Sequence, residues 1–232
     1  MKKGTVFIAV GILIIISALA LTGYNLYTSD SAYREASSAL GKLQDIIPNQ
    51  GKPITPPIYG SGDAVTDENG DTVTEDIIEE DIAKEDKTPD YVKNPQMEMP
   101  VYTVDGQDYI GVLAIPEISL ELPIISRMSA PRLKKAPCRY SGSAYTDDLI
   151  IGAHCYDKFF AKLKNVSNGA EVKFTDVDGN FFVYKVIAKE TINEKNPEDL
   201  KSGDWELSLF TCPVLANTDK RIVLRCERIY PQ

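Results

Sequence analysis

The pattern of apolar and polar positions divides the chain into four stretches. Thr5 to Thr22 is eighteen residues without a charge: Thr-Val-Phe-Ile-Ala-Val-Gly-Ile-Leu-Ile-Ile-Ile-Ser-Ala-Leu-Ala-Leu-Thr. As a helix at about 1.5 Å per residue it reaches about 27 Å, the depth of a bilayer's hydrocarbon layer. Lys2 and Lys3 precede it, and Tyr24 and Tyr27 follow at the position of an interfacial aromatic belt. The pattern predicts a membrane anchor over residues 1–24, single-pass, with the N-terminus cytoplasmic and all that follows outside. Ala18-Leu19-Ala20 has the small-x-small form of a signal-peptidase site. The apolar run continues through it, which favours an uncleaved anchor, and both readings export the rest of the chain.

Residues 25–50 carry a helical stripe. Asp30 is placed to cap it, and Tyr33, Ala36, Leu40, Leu43 and Ile47 recur at spacings of three and four. The stripe is too short for a stable coiled coil, so a frayed juxtamembrane helix is expected, with self-association as the alternative. Residues 51–97 lose all periodicity. Pro53, Pro56, Pro57, Pro89 and Pro95 interrupt an acidic run that lacks the apolar surface to order itself. This stretch reads as a flexible spacer between the membrane and a domain.

Residues 98–232 alternate in the manner of strands. Tyr109–Ile115 stops at Pro116; Ile118, Leu120 and Leu122 alternate with Ser119 and Glu121; Asp148–Ala153 is short and strongly apolar. Glu171–Phe174 and Phe181–Ile187 flank Asp178-Gly179, a hairpin signal. Trp205–Thr211 and Arg221–Ile229 are the last two predicted strands, and Tyr156–Leu163 suits a helical turn or two. Many short strands with one or two short helices predict a mainly β domain, a closed or nearly closed barrel.

Charge changes the picture in one respect. The net charge is −9, but residues 63–90 hold twelve acids and two lysines, so the remainder of the chain is close to neutral at +1. No broad basic field is left to attract nucleic acid, and none is expected as a partner. The single histidine excludes chemistry that needs two. No cofactor or resident metal is expected. Asp67-Glu68-Asn69-Gly70-Asp71 has a misplaced glycine for a calcium loop, so calcium has only weak support.

Three residues suggest chemistry. His154 follows the Leu149–Ala153 strand, Cys212 ends the Leu207–Thr211 strand, and Arg221 begins the next one. Pro213, Asn217 and Asp219 make the intervening segment a loop. An antiparallel hairpin would set Cys212 opposite Arg221, about 5 Å apart at Cα. A cation beside a thiol favours thiolate, and a guanidinium can also donate to an oxyanion. Arg225 is the rival cation, on the same strand face but about 13 Å further along. Cys138, Cys155 and Cys226 are either small core residues or partners in a Cys138–Cys155 or Cys155–Cys226 bridge.

These residues resemble a known family. The order His154, Cys212, Arg221, with Ser208-Leu209-Phe210-Thr211-Cys212 leading into Arg221-Ile222-Val223, is similar to the sortases of Gram-positive bacteria. Ile110-Gly111-x-Leu113-x-Ile115-Pro116-x-Ile118 resembles their opening strand, although Ser208 replaces the usual threonine and Ala153 the usual glycine. The resemblance covers about residues 108–230. It implies a closed eight-stranded barrel and an extracytoplasmic cysteine transpeptidase with Cys212, His154 and Arg221 catalytic and Thr211 and Ala153 substrate-binding. It also implies the partners: secreted surface proteins with a C-terminal sorting motif, an amine of peptidoglycan precursor or pilin, and the plasma membrane. The loop between Lys185 and Trp205, polar and irregular in sequence, is expected to choose the motif. An exported cysteine peptidase and a non-catalytic tethered binding domain are the alternatives.

Overall fold

The computed structural model describes residues 3–48, 88–193, 198–201, 203–211 and 220–230. Nine strands follow in chain order: β1 (Tyr102–Val104), β2 (Gln107–Ile115), β3 (Leu120–Ile125), β4 (Cys138–Ser141), β5 (Leu149–Ala153), β6 (Glu171–Asp176), β7 (Phe181–Asn193), β8 (Leu207–Thr211) and β9 (Lys220–Ile229). They form one sheet in the order β1-β2-β3-β4-β5-β8-β9-β7-β6, and an added β2–β6 pairing closes it. Eight strands, β2 to β9, therefore make the barrel. β1 is an extra strand on the β2 edge, just ahead of the stretch that β6 occupies. The closing seam needs a glycine. Gly111 sits at φ +154°, and a Cβ there would lie 2.1 Å from the Thr175 carbonyl oxygen.

Period-two alternation fills the interior. Leu113, Ile115, Leu122, Ile124, Phe174, Leu209 and Leu224 are all sealed from solvent in one core, each side chain contributing about 1.5–3 kcal/mol by its burial. The turn between β6 and β7 is tied from within. Asp176 is fully buried and accepts from the backbone N–H groups of Asp178 and Asn180, from Asn180 Nδ2 at 2.8 Å and from Tyr145 Oη at 2.6 Å. Burial pushes its carboxyl pKa up, while the hydrogen bonds from Tyr145 and Asn180 pull against that.

The anchor and the juxtamembrane stripe are one helix, α1 (Lys3–Ile46). Its N-terminal part is long and apolar enough to cross a membrane: the most apolar window reaches a mean hydropathy of 2.7 with none of it buried against the protein. The second part is docked on the barrel, against β1, β2 and β3. Ala32, Ala36, Ala39, Leu43 and Ile47 are buried in the main core, and Tyr33 and Leu40 flank them. The expected face was right, but it is neither frayed nor a self-association face. Small alanines at spacings of three and four bring the helix backbone close to the sheet, and Leu43 and Ile47 fill the space beyond. Lys42 pairs with Asp105 at 2.7 Å, Lys135 with Glu35 at 2.6 Å and Lys158 with Asp30 at 3.0 Å along its flanks. These pairs are exposed and add specificity more than stability.

The acidic run expected as a spacer lies mostly outside the described residues. Its far end does not. Residues 88–97, read from sequence as linker, pack on the barrel through the short helix α2 (Asp90–Lys93), where the Tyr91 ring stacks on Tyr145 at 4.7 Å. Two further helices are single turns: α3 (Ala130–Leu133), capped by the Ser129 hydroxyl, and α4 (Glu198–Lys201). The expected turn near Tyr156–Leu163 is a 3-10 segment at Phe160–Asn165. The long irregular loop expected after Lys185 is shorter than sequence implied, because Val186–Asn193 continues β7 in pairing with β9.

Candidate active site

Strand direction brings the functional positions together. β5 and β8 run parallel with Ala153 opposite Thr211. β9 runs antiparallel to β8 with Thr211 opposite Ile222. The C-terminal ends of β5 and β8 and the N-terminal end of β9 therefore lie side by side at one end of the barrel. Adjacent strands stand about 4.8 Å apart, so the two outer strands place His154 and Arg221 on either side of the β8 end. Cys212 is the next residue after Thr211 in sequence, and it lies outside the described residues.

Alternation also sorts the faces. Leu149, Ile151 and Ala153 of β5, Leu207 and Leu209 of β8, and Leu224 and Cys226 of β9 point into the barrel core. Ile150, Phe210 and Val223 form a second, outer cluster with Leu200 of α4. His154 continues the outward parity of Ile150 and Gly152, and Arg221 that of Val223 and Arg225. Glycine is required at 152, where a Cβ would meet the Phe210 ring at 2.4 Å and the Met128 methyl at 2.5 Å.

His154 is half-buried, its ring 5.2 Å from that of Tyr156. Burial lowers its pKa below the ordinary 6.5, and the cations Lys134 and Arg221 lower it further. These effects favour the neutral imidazole over the imidazolium. The folded protein binds fewer protons than the unfolded chain in this range. The stability linked to His154 is present above the ordinary value and is lost as pH falls through the folded value. Lys134→Gln removes one repelling cation, so the His154 midpoint should rise toward 6.5. The chain has one histidine, so an NMR titration of its ring protons reads this without ambiguity; an unchanged or lower midpoint would contradict it.

Thr211 and Ala153, the expected substrate-binding pair, face each other at the ends of β5 and β8. Thr211 is 1% exposed and Ala153 5%, and the Thr211 hydroxyl donates to the Ala153 carbonyl at 2.9 Å. Their hydrogen bond latches β5 to β8.

The rival arginine is engaged in contacts of its own. Arg225 is 2% exposed. Its Nη1 donates to the Leu200 carbonyl at 2.7 Å and to Ser208 Oγ at 3.0 Å, its Nη2 donates to the Asp199 carbonyl at 2.5 Å, and its Nε faces Glu190 at 3.1 Å. The guanidinium pins α4 against β8. Sequence reasoning saw this residue as a competing cation and missed the clamp, because its acceptors are backbone carbonyls about 25 residues away.

Neither expected bridge, Cys138–Cys155 or Cys155–Cys226, forms. Burial pushes the thiols of Cys138 and Cys226 up to about 12, so both are inert. Cys155, half-buried, stands beside His154. Among the described residues no group of three or more His, Cys, Asp or Glu side chains gathers as a metal site, and the Asp67–Asp71 run lies outside them.

A closed barrel with an imidazole and a guanidinium flanking a strand that leads into cysteine defines a sortase-type domain. The family model described as the sortase domain matches residues 113–229, about half of the chain, and the chain belongs to the sortase family. Sortase D of Bacillus subtilis (strain 168) is 26% identical over 127 residues, which cover 51% of this chain and 63% of that protein. The chain thus spans under two thirds of that relative's length. Among solved structures, Sortase A from Corynebacterium diphtheriae aligns with a TM-score of 0.49 at 20% identity, covering 54% of this chain and 63% of that one. Sortase C from Clostridium perfringens SM101 aligns with a TM-score of 0.46 at 23% identity, covering 62% and 76%.

Proposed function

We propose that this chain is a membrane-anchored cysteine transpeptidase with Cys212 as nucleophile, His154 as acid–base and Arg221 as oxyanion donor. The observation that carries it is the meeting of the β5, β8 and β9 ends at one end of the barrel. Were the β8–β9 register to run one rung past Thr211–Ile222, Cys212 would meet Arg221, and strand alternation would turn it to the parity of His154 and Arg221.

The neutral imidazole accepts the Cys212 thiol proton, and the thiolate attacks a backbone carbonyl of a secreted protein's sorting motif. Arg221 donates to the oxyanion that forms. The C–N bond breaks, His154 protonates the leaving amine, and a thioester to Cys212 remains. An amine of peptidoglycan precursor or of a pilin attacks the thioester and gives a proton to His154; the C–S bond breaks as the amide forms, and the expelled Cys212 thiolate takes the proton back from His154. The outer cluster beside α4, with a neighbouring cavity of about 250 Å³ lined by Ile150, Leu200, Trp205 and Ser208, is a place for the motif's apolar side chains. The apolar span of α1, with Lys2 and Lys3 cytoplasmic, puts the barrel outside the cell.

The test is to incubate the full-length protein in detergent with a library of pentapeptide motifs, with and without an added amine, and to read intact mass and products. Peptide captured on Cys212 and released as an amide of the added amine is expected. Release only as free acid would make the protein a peptidase. Binding without any covalent mass would make it a tethered binding domain.

A further inference from the structure

At the foot of the barrel, α1 and the barrel enclose an open groove of about 980 Å³. Tyr24, Thr28 and Glu35 line it from the helix, and Pro131, Lys134 and Tyr156 from the barrel. The helix is continuous through this point and rises about 1.5 Å per residue, so Thr22 to Ser29 places the groove within about 10 Å of the apolar span. The docked alanine stripe and the flanking ion pairs hold this placement. The end of the barrel that bears α3 and the His154 loop is thus the end nearest the apolar span of α1.

That end carries an unusual local charge. Arg127 to Lys135 reads Arg-Met-Ser-Ala-Pro-Arg-Leu-Lys-Lys, four cations in nine residues with no acid, in a chain of net charge −9. Arg127 and Lys134 are exposed and Arg132 partly so. Lys135 is paired with Glu35, and Asp157 is the other acid lining the groove. Among the described residues no acid forms an ion pair with Arg127, Arg132 or Lys134. Ala130 and Pro131, the exposed tip between them, offer a small apolar surface.

We propose that Arg127–Lys135 is a contact surface for anionic lipid headgroups, which seats the candidate active site at the membrane surface. The chemistry is charge complementarity at short range: cations beside a membrane span are drawn to an anionic leaflet within a Debye length. The chain's own acidic run is the competing occupant. Its two ends join the barrel away from the patch, and its deletion tests it directly. A Cβ on Gly179 would lie 2.5 Å from the Pro48 carbonyl, and Thr88 shares a cavity with Asp178 and Asn180. Both ends of the run thus meet at the β6–β7 turn, roughly 39 Å up the helix from Thr22. The proposal rests on the anchor helix and not on the transpeptidase reading, and its readout involves no turnover.

The test uses the full chain in nanodiscs with a headgroup spin-labelled lipid as quencher. Ala130→Trp reports on the patch and Asp178→Trp, exposed in the β6–β7 turn, on the far end of the barrel, with Trp205 as the common background. Quenching of Ala130→Trp should rise at least two-fold when phosphatidylcholine is replaced by about 30% phosphatidylglycerol. The rise should vanish in R127Q/R132Q/K134Q, and Asp178→Trp should stay dark to the quencher throughout. Equal quenching at both sites, or quenching indifferent to lipid charge, would overturn the proposal. So would a response that follows deletion of residues 60–82 instead of lipid composition.

Discussion

Cys212→Ala should abolish acyl capture and lower turnover by about 10^3-fold or more, because the acyl group then has no sulfur on which to rest. The substitution removes one atom, so the unfolding midpoint should stay within the equivalent of about 1 kcal/mol of wild type. Two measurements decide it together: intact mass after incubation with peptide, and a denaturant melt. The other thiols act as internal controls. Cys138 and Cys226 are buried with their pKa values pushed up to about 12, so neither offers thiolate near neutrality. Cys155 is more accessible, and a Cys155→Ala variant that keeps full capture separates it from the nucleophile. Undiminished capture in Cys212→Ala would remove the proposed mechanism altogether.

The second large effect distinguishes two arginines four residues apart. Arg221→Ala should cut kcat/KM by about 10^2–10^3-fold, the usual loss of an oxyanion donor. Its effect on stability should stay near or below about 1 kcal/mol. Arg225→Ala should do the opposite first: a loss of about 2–4 kcal/mol in stability, since the Leu200 and Asp199 carbonyls and the Ser208 hydroxyl lose their donor and a cavity opens under α4. The Glu190 pair adds little to this figure, because that carboxylate is 41% exposed. Activity in Arg225→Ala should fall only as far as the α4 segment loosens, seen as a raised KM and faster amide exchange in residues 198–201. A stable, inactive Arg225→Ala beside an active Arg221→Ala would reverse the two roles.

Much of the molecule was legible in the linear pattern. An uncharged run of eighteen residues can be only a span, a leader or a buried helix, and the strands of the barrel announced themselves by alternation at Tyr109–Ile115, Glu171–Phe174 and Trp205–Thr211. His154, Cys212 and Arg221 stood out because each falls at a strand end, where a side chain reaches the rim of a barrel. These are local features, readable because period two and period 3.6 are imposed by the backbone itself.

Contacts between distant segments decided the rest. Val186–Asn193 looked irregular because its polar residues are tolerated on a strand held by the β9 ladder. Ala32, Ala36 and Ala39 form a docking face only when a sheet lies opposite, since alanine is neutral in any hydrophobic pattern. Arg225 became a structural clamp because carbonyls from Asp199 and Leu200 converge on it, a partnership no spacing within β9 encodes. Composition and periodicity thus determined the anchor, the barrel strands and the residue types at the rim. Only the folded chain determined that Arg225 is buried as a clamp and that the anchor helix clasps the barrel, because burial and hydrogen bonding depend on what lies across space, not along the backbone.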